Sequence, residues 1–551
     1  MKEKLSQSKL LRKWAPLIVL SSALMIIIID TTVLNVSIRN MITDLKTTVQ
    51  GIQWVISAYS LTIAALTVTG GRLGDLFGRK KMFQIGAILF AIGSIVTSIA
   101  PNIGWVIIGN AIIEGIGAAL MMPATAALLV NNYQGKDRAM AFAIWGAVAA
   151  SAAAIGPILG GWLTTYYSWR WAFRINILVV IALLIGSRYV KEAVTKIEKP
   201  TLDFGGVLLS SLSLVSIVYG LIESSNYGWL VSKAPFSIFG HSATPFGLSI
   251  SIITIIFGLI LLIVFAYYEK RYEDSGHTPL VSLALFANKQ FSAGTITTTL
   301  MAMGQTGLIF AIPIFYQSVL GLDALETGIG LIPMSIAIMI SAPFALKLTK
   351  WLTPKRIIQL GFIVSCLGLL ILIMTLDAVS SRLVLAPGLF IYGIGLGLGF
   401  SQLNNLTLSA VSVEQSGEAS GVSNTLRQVG SSFGSAIIGA ALIASLTSNI
   451  ISGIEVNKVI PESAKQSIVE QIQAAGSNIE FASPLDPSTT PPQITKEITT
   501  LTHQSTVQGN RLALELTMLF TLIALISSSL LPNIHNLETG KPAIEQPANA
   551  H

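Results

Sequence analysis

Two carboxylic acids, Asp30 and Glu114, stand in long apolar stretches where a charge is costly. Asp30 follows an apolar run that begins near Ala15, which places it roughly 22 Å along a helix. Glu114 lies in a later run, about 16 Å from the same edge of a hydrocarbon core about 30 Å thick. Such acids mark functional sites by default, and two that face each other would hold at least one proton between them. We expect proton or cation coupling here; the plain alternative for each acid is a hydrogen-bonded packing role.

Other kinds of chemistry find little support in the sequence. The single Cys366 excludes an intrachain disulfide and a cysteine-based metal site, and no G-x-x-x-x-G-K-[ST] phosphate loop is present. No nucleophile, base and orienting group stand in a plausible array. We therefore expect a protein that is not an enzyme and holds no cofactor or metal. The histidines all fall in predicted loops or tails, which argues against a buried proton relay: His241, His277, His503, His535 and His551.

The composition, 52% apolar and 11% charged, indicates an all-α integral membrane protein. The first apolar run is too long for a signal peptide and carries Asp30, so it is predicted to remain as the first membrane helix. Runs of about 20 apolar residues predict about fourteen spans. These lie near 15–38, 52–73, 82–100, 105–130, 139–165, 171–190, 204–224, 247–268, 291–319, 328–349, 357–376, 383–409, 421–447 and 512–531.

The net charge of +7 comes from cations in short loops between apolar runs, so it predicts no nucleic-acid partner. Lysine and arginine are concentrated in alternate loops, which places those loops and both termini in the cytoplasm. A large outer loop then covers 448–511, with a helix predicted for 461–475 and four prolines that argue against continuous structure afterwards. Residues 532–551 form a cytoplasmic tail.

A weak internal repeat relates two spans. The segment Glu114–Leu120, E-G-I-G-A-A-L, echoes Tyr392–Leu398, Y-G-I-G-L-G-L. Such duplication is typical of a transporter with two pseudo-symmetric six-helix halves. The seventh and eighth spans are then an insertion. The predicted domains are 1–190 for the first bundle, 191–289 for the two inserted helices with their loops, and 290–531 for the second bundle.

A compact basic hairpin joins the second and third spans. Gly71 and Gly74 lie at helical spacing, so a neighbouring helix can approach that face closely, and Gly78 permits a tight turn. Asp75 stands at the membrane border, where a carboxylate needs a partner such as Arg79, Arg138 or a helix N-terminus. This group is a candidate cytoplasmic latch. The plain alternative is that its cations only anchor the loop inside the cell.

The hairpin pattern G-x-L-x-D-x-x-G-R-K-K resembles the loop signature of the major facilitator superfamily, the secondary transporters. In addition, D-T-T-V-L-N-V from Asp30 resembles the first-helix signature of the fourteen-helix drug:proton antiporters, a branch that includes quaternary ammonium exporters. The resemblance implies alternating access of two halves, with the hairpin as a clasp of one access state. Leu76 departs from the pattern, since the family often has a cation there. The hairpin residues that match are Gly71, Leu73, Asp75, Gly78, Arg79, Lys80 and Lys81.

Two further spans carry the resemblance. The family's fourth-helix pattern R-x-x-Q-G-x-G-A-A is altered here, because Ala111 replaces the arginine and Glu114 replaces the glutamine. That arginine is implicated in proton coupling in relatives, so the resemblance implies a rebuilt proton route. G-P-x-x-G-G in the fifth span is similar to the antiporter signature of exporters, although helix packing alone is the plain alternative. Its residues are Gly156, Pro157, Gly160 and Gly161.

The family arrangement implies which side chains line a central cavity. Uncharged polar groups there would accept hydrogen bonds from varied substrates, and aromatic faces would attract cations, although most aromatics in membrane helices simply pack. A segment similar to the branch's N-T-x-R-Q-x-G also places Arg427 near the cavity. The candidates are Tyr59, Trp145, Gln305, Phe310, Phe315, Tyr316, Gln317, Gln402, Asn404, Asn405 and Arg427.

Together these features predict a secondary-active exporter in the plasma membrane that couples proton entry to efflux of lipophilic, often cationic drugs. Its expected partners are a small-molecule substrate, protons and the lipid bilayer, and we expect a monomer. Two alternatives stay open: a same-fold exporter of a dedicated lipid, metabolite or siderophore, and a non-transporting membrane sensor or scaffold with the outer loop as its active part.

Overall fold

The structure is a computed structural model that describes residues 2–192, 203–233, 236–238, 241–242, 247–277, 279–378, 380–411, 416–475 and 492–533. These residues are almost entirely helical; two-residue strands, β1 (Ser237–Ile238) and β2 (His241–Ser242), pair antiparallel in one short loop. The first helices are α1 (Lys2–Val36), α2 (Ile38–Leu45), α3 (Val49–Phe77), α4 (Arg79–Ser98), α5 (Ile103–Val106), a π-helical segment (Ile107–Glu114), α6 (Gly115–Asn132), α7 (Gly135–Tyr166), α8 (Arg170–Gly186) and a 3-10 turn (Ser187–Tyr189).

The later helices continue the same pattern of long apolar segments. They are α9 (Phe204–Tyr227), α10 (Ile250–Asp274), α11 (Ala284–Ala287), α12 (Lys289–Ser318), α13 (Ala324–Gly330), α14 (Ile332–Leu348), α15 (Pro354–Thr375), α16 (Arg382–Leu408), α17 (Ser416–Val456), α18 (Glu462–Ala475) and α19 (Pro492–Ser528).

Membrane-spanning length is the shared feature of these helices. In the described part of the chain, thirteen helices are long and apolar enough to cross a membrane. They match thirteen of the fourteen predicted spans, and the remaining span, 139–165, lies within the 32-residue helix α7. The protein is therefore an all-α integral membrane protein, and the structure is consistent with fourteen membrane helices.

Glycine contacts reveal the predicted repeat in three dimensions. In each half, two helices cross so closely that a side chain on the facing glycines would overlap the opposite backbone. This close approach is how small residues hold membrane helices together. The first half uses α4 against the π segment and α6, and the second uses α15 against α16. The facing pairs are Gly86 with Gly117, Gly93 with Gly109, Gly361 with Gly395 and Gly368 with Gly388.

The two halves differ at one point of this repeat. Gly109 and Gly117 are eight positions apart, whereas Gly388 and Gly395 are seven apart. The extra residue falls in the π-helical segment, whose wider turn accommodates it while both glycine contacts are kept. Glu114 then occupies the place that Tyr392 has in the second half.

The predicted insertion packs as a pair of its own. Helices α9 and α10 contact each other extensively, and α9 also packs on α3 of the first half and on α17 of the second. Trp54 of α3 donates a 2.9 Å hydrogen bond to Glu223 of α9. The inserted pair therefore lies against the seam between the two halves, beside α3 and α17, which both line that seam.

The halves close on each other at one end of the molecule, which we call the outer end because the loops there are the ones predicted to face outside. Gln53 donates 2.9 Å hydrogen bonds to the carbonyls of Ser435 and Ala436, and Ser57 shares a 2.6 Å hydrogen bond with Ser435. On the other side of the seam, Gln317 donates to the Val36 carbonyl at 3.0 Å. We call this set of contacts the outer seal.

Toward the opposite, inner end the facing helices carry exposed polar side chains. Asn404 and Asn405 of α16 are exposed. Asparagine side chains exposed at membrane depth are tolerated where they line a water-filled space. The outer seal and these exposed asparagines together indicate a conformation that is closed at the outer end and accessible from the inner end.

The outer loop predicted for 448–511 contains more regular structure than expected. Helix α17 continues to Val456, α18 confirms the predicted helix near 461–475, and α19 begins at Pro492, a residue suited to a first helical turn. Ile450, Ile468 and Ile498 are buried together in a small separate core. Residues 476–491 and the tail beyond 533 lie outside the described residues.

A charged corner fixes α2 to the start of α8 at the outer end. Asp44 accepts hydrogen bonds from the Trp169 indole, at 2.9 Å, and from the Arg170 guanidinium. Partial burial by itself raises the pKa of Asp44, but these hydrogen bonds and the charge of Arg170 outweigh that effect and hold the pKa below its ordinary value of 3.8. Arg170 also lies over the Trp169 ring at 4.5 Å.

The depressed pKa predicts an acid-dependent contribution to stability. The Asp44 contribution is complete above the ordinary pKa and is lost as the pH falls through the lower folded value. We expect Asp44→Asn to lower the melting temperature of the purified protein slightly at neutral pH, because exposed pairs contribute at most about 1 kcal/mol. The difference from wild type should vanish in strong acid. Equal melting temperatures at neutral pH would contradict this prediction.

Candidate functional site

The two buried acids meet at one amide. The Nδ2 atom of Asn110 donates a hydrogen bond to Asp30 Oδ2 and another to Glu114 Oε2, each at 2.7 Å. The two accepting oxygens therefore lie no further apart than twice that distance. Asp30 is 3% exposed and Glu114 is fully buried, so neither carboxyl is solvated in this conformation.

Three helices besides α1 build the surroundings of this acid pair. Asn176 of α8 donates a 3.1 Å hydrogen bond to Asp30 Oδ1 and lies 3.4 Å from Ser94 Oγ of α4. Tyr59 of α3 is 1% exposed and near enough to both acids to interact with them electrostatically. The acids thus meet inside the first bundle.

The π-helical segment brings Asn110 and Glu114 to the same place. Gly93 of α4 passes so close to this segment that a Cβ there would lie 2.7 Å from the Glu114 backbone nitrogen. Only a glycine permits this approach, which presses the segment against α4 and aims Glu114 at Asp30. π-helical turns are frequent at functional sites because they redirect side chains in this way.

Several polar atoms at the site have no hydrogen-bond partner. These are Asn110 Oδ1, Glu114 Oε1 and the Tyr59 hydroxyl, all of them buried. Within the described residues no lysine or arginine forms an ion pair with either acid. Two adjacent buried carboxyls without a cation are costly to ionise together, because their charges repel and neither is solvated.

Sequence reasoning found the two acids and missed the amides that join them. Asn110 lies one helical turn before Glu114, and Asn176 lies in an otherwise apolar stretch of the sixth span. Polar side chains at that depth are themselves a signal. Their common target could not be read from the sequence, because four separate helices contribute to it.

The predicted hairpin latch is partly visible. Gly78 has φ +99°, the left-handed region that favours glycine, and thereby turns α3 into α4 as expected. The backbone nitrogen of Lys80 donates a 3.1 Å hydrogen bond to Glu192, which follows the sixth span and which sequence reasoning did not include. The predicted close helix approach at Gly71 and Gly74 is wrong, because an added Cβ would meet Pro123 at 3.7 Å and Arg79 at 3.4 Å, which are ordinary contact distances. The side chains of Asp75 and Arg138 lie outside the described part of the structure.

The G-P-x-x-G-G motif of α7 is wedged between two helices. On one side Gly156 and Gly160 pack on Thr32 and Val33, which follow Asp30 in α1. On the other side Gly161 meets the carbonyl of Ala324 in α13, which belongs to the second half. At all three glycines an added Cβ would overlap its neighbour. The motif therefore joins the acid-bearing helix to the opposite half.

The Pro157 carbonyl makes a similar contact on the second side. It faces Gly328 of α13, where a Cβ would overlap it. The Leu325 backbone nitrogen donates a 3.1 Å hydrogen bond to Thr165, one turn beyond the motif. Helices α7 and α13 are thus in backbone contact along the outer part of the seam, and they extend the outer seal.

The cavity candidates fall into two groups. Phe310, Phe315, Tyr316 and Gln402 are fully or almost fully buried, and Gln317 is occupied in the outer seal through Val36 and Arg39, so these residues do not line open space in this conformation. The polar atoms of Gln402 have no hydrogen-bond partner. Asn404 and Asn405 are exposed, whereas Trp145, Gln305 and Arg427 are half-buried, and Arg427 lies 5.9 Å from the Phe400 ring.

Comparison with known proteins identifies the family. Residues 20–435 match the sequence profile of the Major Facilitator Superfamily. The chain belongs to the major facilitator superfamily. Its shape agrees, since a bacterial homologue of the human lysosomal transporter Spinster, in an inward-facing conformation, superimposes with a TM-score of 0.57 at 14% identity over 94% of this chain and 97% of that one.

Curated members of the superfamily that resemble this chain include resistance proteins. A puromycin resistance protein of Streptomyces alboniger is 28% identical over 78% of this chain and 81% of its own length. The multidrug resistance protein Stp of Mycobacterium tuberculosis is 28% identical over 84% of this chain and 81% of its own length. The multidrug efflux pump LfrA of Mycolicibacterium smegmatis is 27% identical over 80% of this chain and 82% of its own length. This major facilitator protein therefore has the fold of a transporter of small molecules.

Proposed function

We propose that this major facilitator protein is a proton-coupled exporter of lipophilic, often cationic drugs. The observation that carries the proposal is the pair of buried acids, Asp30 and Glu114, which one asparagine joins and which form no ion pair with a described lysine or arginine. Relatives described as multidrug resistance and efflux proteins support drugs as the substrate class. The G-P-x-x-G-G motif supports export as the direction.

The conformation supports a specific order of events. With the outer seal closed and the inner end open, a drug enters from the cytoplasmic side while Asp30 and Glu114 hold a proton. Loss of that proton makes the two acids repel, which displaces α1 at Thr32 and Val33. Because α7 packs on those residues and on α13, the displacement reaches the seam between the halves. In this proposal residues 1–190 and 290–531 are the moving halves, and both termini are cytoplasmic in a plasma membrane.

Energetics favour a site with two acids. A proton that enters down about 100 mV and one pH unit releases about 3.7 kcal/mol. Exchanged one for one against a monovalent cation, the electrical contributions cancel and about tenfold accumulation remains. Two protons per cation leave about 5.1 kcal/mol, which corresponds to several thousandfold. Each of the two acids can carry a proton, so the pair is suited to two protons per transported cation, and the repulsion described above begins when the last of them leaves.

Ethidium efflux tests the proposal directly. Cells that express the chain are loaded with ethidium, and efflux is followed with and without an uncoupler that removes the proton gradient. We expect faster efflux than in control cells, and we expect the uncoupler to abolish the difference. Efflux that survives the uncoupler would contradict proton coupling. Absence of efflux for ethidium and other cationic drugs would favour the alternative, an exporter of a dedicated metabolite.

A further inference from the structure

A second pair of buried acids lies where the two inserted helices meet at the inner end. Asp203 immediately precedes α9 and is 4% exposed, and Glu269 of α10 is fully buried. Neither forms an ion pair within the described residues. The transport scheme does not use these acids, because they lie in the insertion and outside both six-helix halves.

In each acid, one carboxyl oxygen accepts hydrogen bonds and the other has no hydrogen-bond donor. Asp203 Oδ1 accepts hydrogen bonds from the Gly206 nitrogen at 2.9 Å and from the Tyr268 hydroxyl at 3.0 Å, and Glu269 Oε2 accepts from the Val281 nitrogen at 3.3 Å. The remaining oxygens, Asp203 Oδ2 and Glu269 Oε1, are buried and have no hydrogen-bond partner.

Both unpartnered oxygens point at the same spot. A Cβ added to Gly206 would overlap Glu269 Oε1 and Asp203 Oδ2 together, so the two oxygens flank one glycine. Two ionised carboxylates cannot donate to each other and would repel at this distance in a buried place. A single proton between them supplies the missing donor and removes one of the two charges.

We propose that Asp203 and Glu269 share one proton and form a second protonation site, which fastens the inserted helices to the linker that leads into the second half. The Val281 contact attaches Glu269 to that linker, and one residue later Ser282 Oγ donates a 2.8 Å hydrogen bond to Glu273 of the same helix. Two residues earlier, the Pro279 carbonyl accepts a 2.8 Å hydrogen bond from Arg72 of α3. The linker is therefore held by Glu269 from the insertion and by Arg72 from the first half, beside the basic hairpin.

The sign of the pH response follows from this arrangement. At lower pH the shared proton is present and the two helices stay closed around Gly206. As the pH rises the proton leaves, the carboxylates repel, and the attachment of Val281 to Glu269 loosens. One other titratable group contacts the pair directly, Tyr268, which donates to Asp203. Beyond it Tyr272 stacks on Tyr268 at 5.6 Å and His277 stacks on Tyr272 at 4.7 Å, while Glu273 accepts from Ser282 of the linker.

Glu269→Gln separates the proposal from its alternatives. A glutamine side chain donates to Asp203 through its amide N–H, which does not titrate, and its oxygen still accepts from the Val281 nitrogen. The variant should therefore behave as the protonated form at every pH. Hydrogen exchange of the 280–283 amides is measured in the purified full chain from about pH 5 to about pH 9, after correction for the intrinsic exchange rate. We expect the protection of these amides in wild type to fall by about tenfold or more as the pH rises. In Glu269→Gln the same amides should remain protected at every pH.

Three controls make the outcome decisive. Asp274→Asn changes an exposed acid on the same helix and should behave as wild type, and His277→Asn should keep the response if the acid pair causes it. The infrared difference spectrum of wild type minus Glu269→Gln should contain a protonated-carboxyl band, because the contribution of Asp30 and Glu114 is present in both and cancels, whereas wild type minus Asp274→Asn should contain none. An identical pH profile in wild type and Glu269→Gln, or an unchanged carboxyl band, would overturn the proposal. Neither measurement requires transport, so failure here is distinguishable from failure of the efflux proposal.

Discussion

Replacing Asp30 with asparagine is expected to abolish proton-driven efflux while leaving the protein folded. The asparagine keeps the shape of the side chain and its single amide oxygen can still accept from Asn110 or from Asn176, but it cannot bind or release a proton. We expect the uncoupler-sensitive rate of ethidium efflux to fall by at least about tenfold, which corresponds to about 1.4 kcal/mol of lost coupling. Glu114→Gln should have the same effect, because the two acids act as one site.

Two further variants show whether the site acts through protons. Asn110→Leu keeps both acids but removes the amide that joins them, so we expect efflux to be impaired and its pH dependence to shift. Asp274→Asn, on an exposed part of α10, should leave efflux unchanged. Full uncoupler-sensitive efflux in both Asp30→Asn and Glu114→Gln would contradict the assigned role, and their expression levels and melting temperatures exclude a folding defect.

A single methyl group at Gly161 is expected to break the outer seal. The Cβ of Gly161→Ala would overlap the Ala324 carbonyl, and a backbone atom cannot rotate away as a side chain can. Overpacking of this kind costs about 1–3 kcal/mol. Because the contact joins the two halves, that cost falls on the outward-closed conformation alone and shifts the population toward the outward-open one by about fivefold to a hundredfold.

Cysteine labelling measures this shift. A cysteine replaces Ser57, which is buried in the outer seal, in a Cys366→Ser background, and a membrane-impermeant maleimide is added outside the cells. Labelling should accelerate in Gly161→Ala, and efflux should decline. Gly421→Ala is the matched control, since a Cβ there would meet nothing within 4 Å. Equal labelling rates in the two alanine variants would show that the α7 and α13 contact does not hold the outer end closed.

The membrane architecture could be predicted from local sequence. Apolar length alone predicted the spans, because a helix in hydrocarbon must satisfy its own backbone and needs about 20 residues to cross. Gly78 was predictable for a related reason, since a tight turn between two spans requires a backbone conformation that glycine adopts freely. The outer loop was harder, because its prolines obscured the extension of α17 and the start of α19.

The sequence by itself determined that two acids are buried in the membrane, that a basic hairpin and a glycine-rich fifth span carry the family's patterns, and that the chain is a membrane protein built of helices. Only the tertiary structure decided that Asn110 joins the acids, that Gly160 and Gly161 contact opposite halves, and that Asp203 meets Glu269. The physical reason is that composition and periodicity act along one helix, whereas the partner of a buried polar group comes from whichever helix packs against it.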